Sequence, residues 1–276
     1  MRVSVLYEDG DVTLARYDHP EGEAHDDPAR EEAEGHAVSF LERGSFHVHR
    51  GRDSWNLSRG SLFVTRPGLR YRCTHDSATP DDVCLSLRCS GEVLEEAAKP
   101  WATLVPVVPL TNRLAFLHDE LGHAVAGGVA SMAVPVLARE IVGALAGTAR
   151  RLHRESQLRW YAERVRHARE VMHRRYAEPL SLAILGREVG MSPFHLNRVF
   201  RDLVGAPPHR YLVRVRLQRA AEALRSGASV TSASLDAGFP NLGHFVRTFR
   251  RAYGVSPGTF PPKSSKKAQA RMRRNS

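Results

Sequence analysis

The chain has 276 residues, 42% of them apolar and 25% charged, with 40 Lys and Arg against 30 Asp and Glu. At roughly 100 to 200 residues per domain it is long enough for two domains with a core each, and its composition excludes a disordered chain, a disulfide-stapled miniprotein and a collagen-like repeat. The formal charge of +10 is uneven: residues 1–159 are net −5, residues 160–262 hold 16 Arg against 7 acids, and the last 14 residues add six bases and no acid. Such a basic half suits a polyanion, whereas the acidic half has another task.

The chain starts without the basic-then-apolar order of a signal peptide. Up to about Cys89 the apolar segments are short and often alternate with polar residues, at 3–7, 12–17, 38–41, 46–49, 62–65 and 83–87. Turn signals at Gly10, Gly44, Gly51, Gly60 and Pro67-Gly68 separate them, which predicts a small antiparallel barrel or sandwich. The acidic run 19–35 reads as a mobile loop. Cys73, Cys84 and Cys89 are odd in number and lie within 17 residues, so they are no disulfide framework. Cys73 and Cys84 flank a predicted hairpin around Ala78-Thr79-Pro80, with His75 near. They are either small buried thiols on strands or a redox or soft-metal sensor.

After Pro109 the chain turns rich in Ala and Leu. Leu114, Leu117, Leu121 and Val125 fit one helical stripe, and Val134, Leu137, Ile141, Leu145 and Leu152 fit another, with Gly127-Gly128 between them. The stripes could support a homodimer or pack against the barrel of their own chain. The most apolar stretch, 129–149, carries Pro135, Arg139 and Glu140, charges that a bilayer penalises heavily. The expectation is a protein of the reducing cytoplasm with no membrane partner.

From Trp160 onward the pattern is helical. Tyr161, Val165, Ala168 and Met172 line one face of a helix that stops near Glu178-Pro179. Ser181 starts a short helix to Val189, and Gly190 makes a turn. Ser192-Pro193 then opens a second helix with a capping hydroxyl and a proline at the first position. Leu196, Val199, Phe200 and Leu203 give that helix a buried face, completing a helix-turn-helix.

The pattern then repeats. His195, Arg198, Phe200, Arg201, Gly205 and Pro208 are matched at an offset of 49 by His244, Arg247, Phe249, Arg250, Gly254 and Pro257, and Tyr211 is matched by Phe260. Gly186 and Gly190 are matched at an offset of 48 by Ser234 and Gly238, so the second turn has one extra residue. This is a duplicated unit. The second helix of such a motif lies in the major groove of DNA. With its apolar face committed to the core, the first unit presents Asn197, Arg198 and Arg201, and the second presents His244, Arg247 and Arg250 or Arg251. Arginine bonds guanine bidentately and asparagine bonds adenine, which suits base reading. The helix predicted over 208–226 would be about 28 Å long, close to the roughly 34 Å between successive major-groove faces, so one chain could enter two adjacent grooves.

The segments Gly190-Met191-Ser192-Pro193-Phe194-His195-Leu196, Ala237-Gly238-Phe239 and Phe249-Arg250-Arg251 through Gly254-Val255-Ser256-Pro257 resemble the DNA-binding domain of the AraC/XylS family of bacterial transcription regulators. That resemblance implies base-reading positions at Phe194, Asn197 and Arg198 in the first unit and at Gly243 and Arg247 in the second. Gly243 departs from the pattern because it has no side chain to read with.

The amino-terminal half resembles the cupin-like effector or oligomerisation domain found ahead of this module. The resemblance places metal-ligand positions on Glu31, Ala33, Ala37 and Tyr71, which are not a ligand set. A second framing, His47-x-His49 with Asp53 and Gly60, has the right spacing but lies one strand too late. The expectation is therefore strand histidines, no metal and no cofactor.

The sequence thus predicts an α+β protein. A cupin-like β-barrel domain (1–105) precedes a helical linker and dimer interface (106–157), an all-α domain with two helix-turn-helix units (158–262) and a disordered basic tail (263–276). The function predicted is a non-enzymatic, sequence-specific transcription factor. Its expected partners are double-stranded promoter DNA, a small-molecule effector, RNA polymerase and a second copy of itself. The competing readings are a cupin-type metal enzyme fused to a DNA-binding module and a non-specific architectural DNA binder.

Overall fold

Alternating apolar residues in the first half build antiparallel strands, here in a computed structural model that describes residues 1–19, 30–75, 81–90, 104–145 and 153–260. The chain divides into two units, Met1–Leu158 and Arg159–Ser276.

In the first unit, β1 (Arg2–Glu8), β2 (Val12–Asp18), β4 (His36–Arg43), β7 (Ser61–Thr65), β9 (Val83–Cys89) and β10 (Val107–Pro109) form a sheet in the order β1-β2-β9-β4-β7-β10. A second sheet has the order β3-β8-β5-β6, from β3 (Glu31–Glu32), β5 (Phe46–Arg50), β6 (Asp53–Leu57) and β8 (Arg70–Thr74). The described strands pair into these two sheets, the β part of the mixed α+β fold that the sequence predicts.

The period of two along a strand sends successive side chains to opposite faces, and the larger sheet is buried on both. Leu14, Val38, Phe40, Leu62, Val64, Leu85 and Leu87 pack on one face against α1 (Asn112–Ala126) and α2 (Ala130–Leu145). Phe63 and Cys84 point the other way, to meet Phe46, Val48 and Leu57 of the smaller sheet. Thr111 caps α1, its hydroxyl accepting from the Leu114 N–H at 3.2 Å.

The two helical stripes are therefore covered by the chain's own sheet: Leu114, Leu117, Leu121, Val134, Leu137, Ile141 and Leu145 all belong to that core. Leu152 lies outside the described residues, as do residues 20–29 of the expected loop and the tail 263–276. The segment after the strands also begins with β10, paired to β7, before any helix starts.

The hairpin expected between Cys73 and Cys84 is corrected. Cys73 is on β8, which pairs with β5, while Cys84 is on β9, which pairs with β2 and β4; the two cysteines belong to different sheets. Residues 76–80, with Ala78-Thr79-Pro80, lie outside the described residues. All three cysteines are free. Burial, with the nearby charge of Asp82 adding, pushes the Cys84 thiol up to about 12, and burial does the same to Cys89. Burial thus disfavours the thiolate form of both.

Between the sheets lies a cavity of about 550 Å³. Among the described residues no helix is long and apolar enough to cross a membrane.

The second unit is helical. It contains all but the first turn of α3 (Glu155–Arg174), with α4 (Leu182–Glu188), α5 (Pro193–Val204), α6 (Pro208–Arg225), α7 (Val230–Asp236) and α8 (Leu242–Tyr253), and has a 3-10 turn, Pro257–Thr259. Tyr161, Val165, Ala168 and Met172 of α3 are buried, as are Leu196, Val199, Phe200 and Leu203 of α5. Leu217, Ala220 and Leu224 of α6 share a core with Phe239, Phe245 and Phe249. Burying each such aromatic stabilises by about 1.5 to 3 kcal/mol relative to leaving it exposed.

Candidate nucleic-acid interface

The duplication read from the sequence is a duplication of structure. The helices α4 and α7 have 7 residues each, and α5 and α8 have 12 each. Each starts on a polar side chain that accepts from the backbone N–H three residues on: Ser181, Ser192, Ser229 and Asn241. Such a cap satisfies one of the donors that a helix start leaves open. Both second helices end on a left-handed glycine, Gly205 and Gly254, whose N–H donates to the carbonyl of Arg201 or Arg250. Beyond each end an aromatic packs edge-on against a buried phenylalanine, Tyr211 on Phe200 and Phe260 on Phe249.

The angle between the paired helices depends on small residues. A Cβ on Gly186 would stand 2.6 Å from the Met191 carbonyl oxygen, so α4 passes too close to the turn for any side chain. Ser234 takes the matching place in α7 and is 1% exposed, with a buried hydroxyl that has no hydrogen-bond partner among the described residues. Gly190 and Gly238 make the turns at φ of +67° and +80°, a region that costs other residues roughly 1 kcal/mol or more.

The two units are joined through the loop after α3. Arg216 of α6 donates from Nε to the Tyr176 carbonyl and from a terminal nitrogen to the Glu178 carbonyl, both at 2.7 Å. Arg175 pairs with Glu178 and with Glu188 at the end of α4. On the other side, the turn at Gly238 lies so close to this loop that a Cβ there would be 2.7 Å from the Ala177 carbonyl oxygen. One short loop thus touches α4, α6 and the second turn.

The outer face of each second helix is basic. Phe194 is 78% exposed. Arg198 and Arg201 are exposed, and Asn197 beside them is half-buried. In the second unit Gly243, His244, Arg247, Arg250 and Arg251 are all exposed. None of these five arginines pairs with a carboxylate among the described residues, whereas Arg175 and Arg219 do and Arg216 is spent on carbonyls. His195, at the position matched by His244, turns inward instead, its Nε2 at 3.0 Å from the Tyr161 hydroxyl.

At Gly243 a Cβ would lie 3.6 Å from a terminal nitrogen of Arg247. Gly243 therefore sits beside the Arg247 guanidinium at ordinary contact distance at the start of α8. Leu242, which sequence reasoning passed over, is 44% exposed at the first position of α8. The signal was available, because the position matched in the first unit is Pro193, and an exposed leucine there has no capping purpose.

Of the earlier metal framings, Glu31 and Tyr71 are hydrogen-bonded to each other at 3.2 Å across β3 and β8. Asp53 faces Arg50 in the β5–β6 hairpin, and His49 Nε2 lies 2.7 Å from the Thr74 hydroxyl.

A family profile described as "Helix-turn-helix domain" matches residues 185–261. The chain is 37% identical over 82 residues to the "Bifunctional transcriptional activator/DNA repair enzyme Ada" of Escherichia coli, a match covering 30% of this chain and 23% of that protein. It is also 37% identical over 83 residues to the "HTH-type transcriptional activator RhaS" of Escherichia fergusonii, covering 30% of each. The chain thus spans less than a third of the length of these curated relatives. A solved structure described as a probable AraC family transcriptional regulator from Rhodopseudomonas palustris is 35% identical, covering 34% of this chain and 91% of that chain with a TM-score of 0.33.

Proposed function

We propose, from the match of residues 185–261 to a helix-turn-helix domain and the resemblance of the same region to the AraC family, that the protein is a sequence-specific DNA-binding transcriptional regulator of that family. In this reading it inserts α5 and α8 into adjacent major grooves. The observation that carries the proposal is the set of five arginines without acidic partners among the described residues, on the outer faces of two helices joined by one loop. Arg198, Asn197 and Phe194 would read bases in the first groove. Arg247 would read in the second, with His244 and Leu242 beside it, and Arg201, Arg250 and Arg251 would hold phosphates.

The first unit, with its cavity, would be the effector domain. Because the stripes of α1 and α2 are covered, a homodimer would need another surface. The exposed Val129, Met132 and Val136 along the outer side of α2 supply one. RNA polymerase is the protein partner and the cytoplasm the location that this reading implies, and it assigns no enzymatic activity.

The test is DNA binding by the purified full-length chain at rising salt. Neutralising about five phosphates implies an affinity loss of roughly 500-fold between about 50 and 200 mM salt, because each neutralised phosphate releases counterions. An affinity unchanged over that range would sink the proposal. Sequences selected from a random DNA pool should converge on two half-elements about one helical turn apart. Recovery of random sequence would leave only the non-specific architectural reading.

A further inference from the structure

We infer that the amino-terminal unit binds a divalent transition-metal ion of the zinc class through His19, His75 and Asp82, on the wall of the cavity between its sheets. The three come from separate places: His19 just past β2, His75 just past β8 and Asp82 just ahead of β9. Their ligand atoms all lie within 4.8 Å of one another. Nδ1 of His19 is 2.9 Å and Nε2 of His75 is 3.1 Å from the same oxygen, Oδ1 of Asp82. Ligands about 2.0 to 2.2 Å from a tetrahedral zinc stand about 3.3 Å apart, so both separations need only a few tenths of an ångström to admit the ion.

The set is also held in place. The side chains are 12%, 6% and 7% exposed. The His19 N–H donates to the Asp82 carbonyl at 3.0 Å, fixing the two segments to each other. Gly44 lies against Asp82 so closely that a Cβ would be 2.7 Å from the Asp82 Cα. The His75 ring packs between those of Phe46 and His19, with centroids at 5.5 Å from each. Two imidazoles and one carboxylate suit zinc, copper or iron, and suit magnesium or calcium poorly. All three residues line the cavity, as do Cys73 and Cys84. The ion would therefore have a coordination position open to an oxygen or sulfur donor of a small molecule. Metal binding itself does not depend on the DNA-binding reading.

This arrangement differs from both framings considered from the sequence. Glu31, Ala33, Ala37 and Tyr71 line the same cavity without forming a ligand set, and His47, His49 and Asp53 are not in the converging group.

The experiment uses the full-length protein freed of metal by a chelator and titrated with zinc by calorimetry. One equivalent should bind at micromolar affinity or tighter. Asp82→Asn and His75→Gln should each weaken binding at least tenfold while leaving salt-dependent DNA binding intact. The double variant His47→Ala/His49→Ala should bind as the parent does. X-ray absorption of its zinc complex should count two imidazoles, a readout that survives even if the Asp82 and His75 variants fail to fold. No stoichiometric binding to the parent protein, fewer than two imidazoles in that complex, or loss of binding in the His47/His49 variant would each overturn the inference.

Discussion

Arg198→Ala is expected to weaken binding to a selected operator roughly 5- to 150-fold and to flatten the preference at one or two base pairs, the range that 1 to 3 kcal/mol for a bidentate contact gives. The side chain is exposed on α5 beside Asn197 and carries no acidic partner among the described residues. Removing it therefore breaks nothing in the fold, and any loss is a loss of recognition. Arg247→Ala should weaken binding with a smaller change in preference. The second helix has a glycine where the first has Phe194, so more of its hold comes from phosphates, which carry no sequence information. Competition against single-base operator variants reads both effects. If both halves of the operator relax equally, the unequal division of reading between α5 and α8 is wrong.

Gly186→Val should strongly destabilise the second unit, costing roughly 3 kcal/mol because the obstacle is backbone that cannot swing aside. For a unit of about 100 residues that lowers its melting transition by roughly 12 to 24 °C. Gly190→Ala, whose Cβ would meet nothing within 4 Å, should cost only about 1 kcal/mol for its left-handed backbone. Calorimetry on the full-length variants compares them. A valine variant as stable as the alanine one would mean that the α4 crossing is loose.

The helix-turn-helix pair could be read from sequence because everything that shapes it is local: caps, turn glycines and aromatics at fixed offsets. The first unit was harder to read. Asp53–Leu57 buries only Leu57 on β6, and Arg70–Thr74 on β8 has no strong apolar alternation. Their strand character comes from pairing with β5, which no short window contains. The stripes on α1 and α2 were legible, but whether a sheet or a second chain covers a stripe depends on tertiary packing. The cluster of His19, His75 and Asp82 was invisible for a related reason. Sheet order brings together residues 63 positions apart in the chain, whereas His47-x-His49 drew notice by spacing alone.

The loop after α3, gripped by Arg216 and wedged against the turn at Gly238, bears on which promoters this protein could regulate. Two reading helices on a pliable connection would tolerate half-elements at several spacings, each helix finding its own face of the duplex. Helices locked to one loop cannot follow when the DNA between them is lengthened. A single inserted base pair turns the far half-element about a tenth of a revolution away from its helix. Under the proposed function, the sites open to the protein would then be defined by phasing as much as by sequence, and an operator could be silenced by a one-base insertion that leaves every contacted base unchanged.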